Sequence, residues 1–151
     1  MPSRCLNVPH RHITFTISNF LWPFFFIDRS LLNELFDAAS YTLLSWFKQQ
    51  SKFECFTPGI IATLHTFGRD LKWNPHIHIL VTEGALGRKT NWKVFNHFPY
   101  EMLRKRFMTK LLFNLSIGSH LTPSISLIIT FGLETKSSNP SLLIVSIKTD
   151  K

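Results

Sequence analysis

Two histidines one residue apart, His76 and His78, are the side chains whose type and spacing most directly suggest chemistry. They sit in Pro75-His76-Ile77-His78-Ile79-Leu80-Val81-Thr82, where Ile77, Ile79 and Val81 alternate with the histidines, Leu80 and Thr82. Alternation of period two is the signature of a β-strand, so both imidazoles leave the same face. Pro75 is tolerated because the first residue of a strand need not donate a ladder hydrogen bond. Neutral imidazoles at i and i+2 on a rigid strand can both reach one divalent cation. Seven histidines in 151 residues give roughly 0.3 such pairs by chance, so the spacing alone leaves ordinary strand histidines as an open alternative.

The surrounding elements sharpen the case. Residues 10–17 also alternate, with Ile13, Phe15 and Ile17 on one face and His12, Thr14 and Thr16 on the other. His10 and His12 form a second His-x-His pair, and two such strands side by side would collect several imidazoles on one sheet face. Residues 60–67 read as a further strand carrying Ile61, Thr63, His65 and Phe67 on one side. The turn from Gly68 to Asn74 then predicts an antiparallel hairpin with the 75–82 strand, making His65 the candidate third ligand. Residues 83–89 read as a glycine-punctuated basic turn and 90–95 as a short returning strand.

Helices should cover the apolar side of that sheet. From Arg29 to Gln50, capped by Asp28 or Ser30, Leu31, Leu35, Ala39, Leu43 and Phe47 recur every fourth residue, with Leu32, Phe36 and Trp46 widening the stripe. Tyr41 lies within this helix as a packing residue. Residues 98–113 set Arg104, Lys105, Arg106 and Lys110 among Leu103, Phe107, Leu111 and Leu112, a basic amphipathic helix whose cations are candidate DNA-phosphate contacts or a solvated face. Residues 18–28 read as a turn and an aromatic loop broken by Pro23, either packing over the core or offering a base-stacking platform.

Composition sets bounds. A chain of 151 residues, 44% hydrophobic and with fifteen phenylalanines, can bury a core and is not generally disordered. The net charge of +8 favours an anionic partner, with a plain excess of solvated Lys and Arg as the alternative. Two cysteines fifty residues apart, Cys5 and Cys55, form neither a disulfide framework nor a zinc knuckle, which points to a reducing cytoplasm. No export signal opens the chain. From Leu111 to Leu133 there is no charged residue, but Pro123, His120 and Asn114 argue against a membrane span.

Three stretches together resemble the rolling-circle insertion-sequence transposases that use two tyrosines (the IS-91/IS-801 group). They are Val8-Pro9-His10-Arg11-His12-Ile13-Thr14-Phe15-Thr16-Ile17, then Pro58-Gly59 through Leu64-His65-Thr66-Phe67-Gly68, then Asn74-Pro75-His76-Ile77-His78 with Gly84 and Trp92 following. The resemblance covers about residues 5–112. It implies an α+β fold: an antiparallel ferredoxin-like sheet with helices packed on it and the His-hydrophobe-His motif on a central strand. It also implies that His76 and His78 hold Mg²⁺ or Mn²⁺ against a scissile phosphate, and that a helix tyrosine attacks phosphorus while a second, one turn away, permits strand transfer.

The chain departs from that pattern at both ends. Residues 1–9, with Cys5, look like the remnant of a cysteine-rich module, residues 10–112 like a partial catalytic domain, and residues 113–151 like a divergent tail, as though out of frame. The only tyrosines are Tyr41 and Tyr100, neither in the family's context nor one turn apart. The expectation is therefore a transposase fragment with the metal half of the site and no nucleophile, partnered by DNA, single-stranded by preference, and by full-length transposase. The alternatives are a non-catalytic basic DNA-binding remnant that competes at insertion-sequence ends, and an unfolded decay product.

Overall fold

A computed structural model describes residues 7–117 and 147–150. It contains β1 (His10–Thr16), a 3₁₀ turn (Asn19–Leu21), α1 (Trp22–Ile27), α2 (Leu31–Gln49), β2 (Thr57–Phe67), β3 (Trp73–Leu86), β4 (Lys93–Val94), α3 (Tyr100–Ile117) and β5 (Ile147–Asp150). The sheet runs β2-β3-β1-β5, with β4 on the far end of β3, and every pairing is antiparallel. The expected α+β architecture of an antiparallel sheet with packed helices is thus present, and β3 lies between β1 and β2. Cys5, read above as a module remnant, and most of the uncharged run to Leu133 fall outside the described residues. None of the described helices is long and apolar enough to cross a membrane.

The core follows from strand alternation. Ile13 and Phe15 of β1, with Ile17 just after it, and Ile77, Ile79 and Val81 of β3 are buried. Leu31, Leu35, Ala38, Ala39, Leu43 and Phe47 of α2, with Leu103, Phe107 and Leu111 of α3, complete the same cluster. Phe107 meets Phe15 with ring centroids 4.8 Å apart. Both helices therefore cover one side of the sheet, as one apolar face requires.

Several local readings need correction. The 18–28 segment is not a loop: Pro23 stands in the first turn of α1, where its missing N–H costs nothing. Its aromatics divide, with Phe25 buried beside Leu21 and Phe20 and Phe26 exposed. Asp28 acts just ahead of α2, its carboxylate accepting from the Ser30 N–H at 2.9 Å and Ser30 Oγ at 2.6 Å, while Ser30 makes no side-chain cap bond. Phe36 is exposed rather than part of the α2 stripe. β3 runs on through Glu83-Gly84-Ala85-Leu86, so the basic turn begins only at Gly87. At Gly84 a Cβ would lie 2.4 Å from the Trp92 ring, so glycine is required by close approach. α3 passes without a break through residues 112 and 113.

The turn after β3 is tied down by one carboxylate. Glu54 accepts backbone hydrogen bonds from Lys89 at 3.0 Å and Thr90 at 3.1 Å, and these hold its pKa below the ordinary value. A depressed folded-state pKa gives stability that is present above the unfolded value and lost as pH falls through the folded one. Glu54→Gln should therefore lower the melting temperature at neutral pH, and the gap from wild type should narrow as pH falls below the ordinary glutamate value of about 4.3 and close below the depressed folded one; pH-dependent thermal melts check this. In the core, Phe107→Ala should cost about 3–5 kcal/mol in urea unfolding, whereas the exposed Phe113→Ala should change stability by less than about 0.5 kcal/mol.

Candidate metal centre

The register places the histidines. On the face away from the helices, His76 pairs across β2 with His65, and His78 lies between Thr63 of β2 and Thr14 of β1. The pairing of His65 with His76 could not be read from the hairpin's length. It depends on the loop closure, in which Gly68 N–H bonds the Lys72 carbonyl and Leu71 takes a positive φ of 60°.

The rings converge. His65 and His78 have centroids 4.5 Å apart, His76 and His78 4.8 Å, and His65 and His76 5.4 Å. One ring nitrogen from each of the three lies within 4.8 Å of the others, a spacing one cation can bridge. His65 is exposed, and His76 and His78 are half-buried, so the cluster is open to solvent on one side.

Neighbouring groups fix how two of these rings are presented. His76 Nδ1 lies 2.6 Å from the carbonyl oxygen of Asn74, an acceptor only, so Nδ1 carries the proton and Nε2 keeps a free lone pair. This imidazole-to-carbonyl bond is the usual second support of a metal-ligating histidine. His78 Nδ1 lies 2.8 Å from His12 Nε2 and 3.2 Å from Thr14 Oγ1. The His12 and His78 rings also stack, 4.9 Å apart and only 6° from parallel. His12 is thus the fourth imidazole of the face, as two adjacent His-bearing strands predict, but it acts against the back of His78. Its partner His10 lies further along, opposite Thr82, and is exposed.

The donor set fits a divalent cation bound by nitrogen. Three neutral imidazoles without a carboxylate suit the borderline metals better than Mg²⁺, which prefers oxygen.

The four α3 cations lie elsewhere. α3 packs on the opposite side of the sheet, so Arg104, Lys105, Arg106 and Lys110 do not join the histidines. Lys105 pairs with Glu101 at 2.8 Å, and the hydrogen bond holds that carboxyl below its ordinary pKa. Arg106 donates to Ser45 Oγ at 2.8 Å and to Gln49 Oε1 at 2.5 Å. Lys110 stands 3.6 Å from Asp37 and 5.0 Å over the Tyr41 ring. Lys105, Arg106, Lys110 and Tyr41 line an open groove of about 560 Å³ between α2 and α3.

A separate polar network escaped the sequence reading. Arg11 donates from Nε to Glu83 at 2.7 Å and from Nη1 to the Tyr100 hydroxyl at 2.7 Å, and its guanidinium lies 4.9 Å over Phe98. Burial works against the Arg11 charge, but the bonds to Tyr100 and Glu83 outweigh it and raise the pKa. Both tyrosines of the chain are therefore engaged on the helix side of the sheet, Tyr100 with Arg11 and Tyr41 at the α2–α3 groove.

With this geometry in place, the chain can be set beside known proteins. The transposase for insertion sequence element IS801 of Pseudomonas savastanoi pv. phaseolicola is 40% identical over 106 residues, which is 70% of this chain and 25% of that protein. A family described as "Putative transposase" matches residues 59–124. The chain is a relative of the IS801-group transposases. It spans about a quarter of the length of the IS801 transposase. The "Putative transposase" match takes in His65, His76, His78 and all of α3. No solved structure matches.

If the three histidines bind metal, His76→Ala and His78→Ala should each abolish Mn²⁺ binding in isothermal titration. His12→Ala should instead weaken it roughly 10- to 100-fold, as loss of an outer-shell partner does. Retention of wild-type affinity in His76→Ala would contradict the site.

Proposed function

We propose that this chain is the metal-binding, DNA-engaging part of a rolling-circle insertion-sequence transposase, acting on single-stranded DNA in transposition. The observation that carries the reading is the convergence of His65, His76 and His78 on an open sheet face in a chain that is 40% identical over 106 residues to an IS801 transposase. The order β-α-α-β-β-β-α-β and the sheet order β2-β3-β1-β5 support a ferredoxin-like arrangement, with β4 as a small addition.

A divalent cation at this face, Mg²⁺ or Mn²⁺ on the family resemblance, would neutralise charge on the oxygens of a scissile phosphate. The chain's own residues orient the ligands: the Asn74 carbonyl sets the His76 tautomer, and His12 with Thr14 holds His78. Strand transfer would also need a nucleophile beside the metal, and neither Tyr41 nor Tyr100 supplies one, since both lie across the sheet. We therefore read the chain alone as competent to hold metal and DNA, with no tyrosine-dependent nicking. Full-length transposase is the partner with which it would share DNA ends.

The test uses the purified chain, a labelled single-stranded oligonucleotide and Mn²⁺. Binding should rise with Mn²⁺ and fall to the metal-free level in His78→Ala, with no covalent protein–DNA adduct on denaturing gels. An adduct that disappears in Tyr41→Phe or Tyr100→Phe would overturn the reading.

A second reading, a non-catalytic remnant that competes at insertion-sequence ends, draws on the cation-lined groove of α2 and α3. On that reading Arg104→Ala and Arg106→Ala weaken binding uniformly across sequences, each lowering the salt slope by about one. Binding that is independent of salt would exclude it.

A further inference from the structure

At the hairpin end of the sheet, beyond the His65–His76 pair, the β2–β3 register slips so that Phe67 stands opposite Trp73. Phe26 of α1 meets the same indole, and both phenyl rings are set nearly perpendicular to it, with centroids 5.3 Å and 5.8 Å away. The indole is anchored, its Nε1 donating to the Trp22 carbonyl at 3.0 Å. The phenyls are not covered: Phe26 is 55% and Phe67 52% exposed, although the neighbouring Phe25 is fully packed. The Arg29 guanidinium lies 5.3 Å over Trp73 and 5.9 Å over Phe26.

We propose that Phe26, Phe67 and Trp73, with Arg29, form a subsite that takes one unpaired nucleobase of a strand whose phosphate lies at the histidine cluster. This rests on the reading of that cluster as the DNA-engaging centre. Three arguments favour a nucleobase as the occupant. Phe67 follows His65 by two residues on β2, about 7 Å along the strand, so a nucleotide flanking the metal-bound phosphate is within reach of the rings. Exposed aromatic faces beside a guanidinium match the stacking-plus-cation chemistry by which single strands are held irrespective of sequence. The exposed Arg69 in the adjoining turn and a net charge of +8 complement a phosphate backbone. Duplex DNA would not satisfy the subsite, because its base faces are already stacked on one another.

The experiment compares two probes on the intact chain: a labelled oligothymidylate and an abasic strand of the same length and charge. Affinity for oligothymidylate should exceed that for the abasic strand by about 5- to 100-fold. Phe67→Ala and Phe26→Ala should each reduce that ratio several-fold with melting temperature unchanged, and Phe67→Trp should restore it. Equal binding of both probes, or binding of neither, would overturn the proposal. So would concentration-dependent self-association lost in Phe67→Ala, which would make the patch a protein contact. A Mn²⁺ titration of the same samples separates the two readings. A base preference that survives without metal binding leaves the subsite standing and removes the metal centre, whereas metal binding without base preference does the reverse.

Discussion

The two-faced alternation of β3 is the constraint on which the rest of this molecule depends. Ile77, Ile79 and Val81 point into the core and are fully buried, which forces His76 and His78 onto the opposite face. A slip of one residue in pairing would bury both imidazoles under the helices and expose the isoleucines, so the hydrophobic core itself fixes where the histidines stand. Because β3 is an inner strand, its neighbours complete the centre from both sides: β2 brings His65 beside His76, and β1 brings His12 and Thr14 against His78.

The helices take the other side and leave the histidine face open. That division explains the placement of the remaining polar chemistry. Lys105, Arg106, Lys110 and Tyr41 gather around the α2–α3 groove, while Tyr100 is drawn into the Arg11–Glu83 network. Basic surface and histidine centre are thus separated by the thickness of the sheet. On the proposed function, a strand of DNA at the histidines would meet the hairpin end and its aromatic residues before α3. On the same proposal, β1 and β3 would orient the ligands and a nucleophile would come from outside this face.

Much of this was readable from the residues because period-two and period-four patterns are local. β1, the outward direction of His76 and His78, and the α2 and α3 helices follow from spacing alone, and the resemblance carried by Val8–Ile17, Pro58–Gly68 and Asn74–His78 agrees with the 40% identity to the IS801 transposase. What was not legible depends on contacts distant in sequence. The facing of His65 and His76 depends on a loop register, and the Arg11 bond to Tyr100 spans 89 positions. α1 was hidden because Pro23 reads as a breaker unless it is known to fall in a first turn. Phe36 looked like part of the buried stripe because an exposed phenylalanine cannot be told from a core one by spacing.

A metal centre on this face requires direct nitrogen ligation by His65, His76 and His78. Pulsed electron paramagnetic resonance of the Mn²⁺-loaded chain, with ¹⁵N incorporated only at histidine, counts the imidazoles bound to the ion. Coupling to three histidine nitrogens is expected in wild type and to two in His65→Ala. Mn²⁺ bound with no histidine coupling, or coupling unchanged when His65, His76 or His78 is replaced, would contradict it.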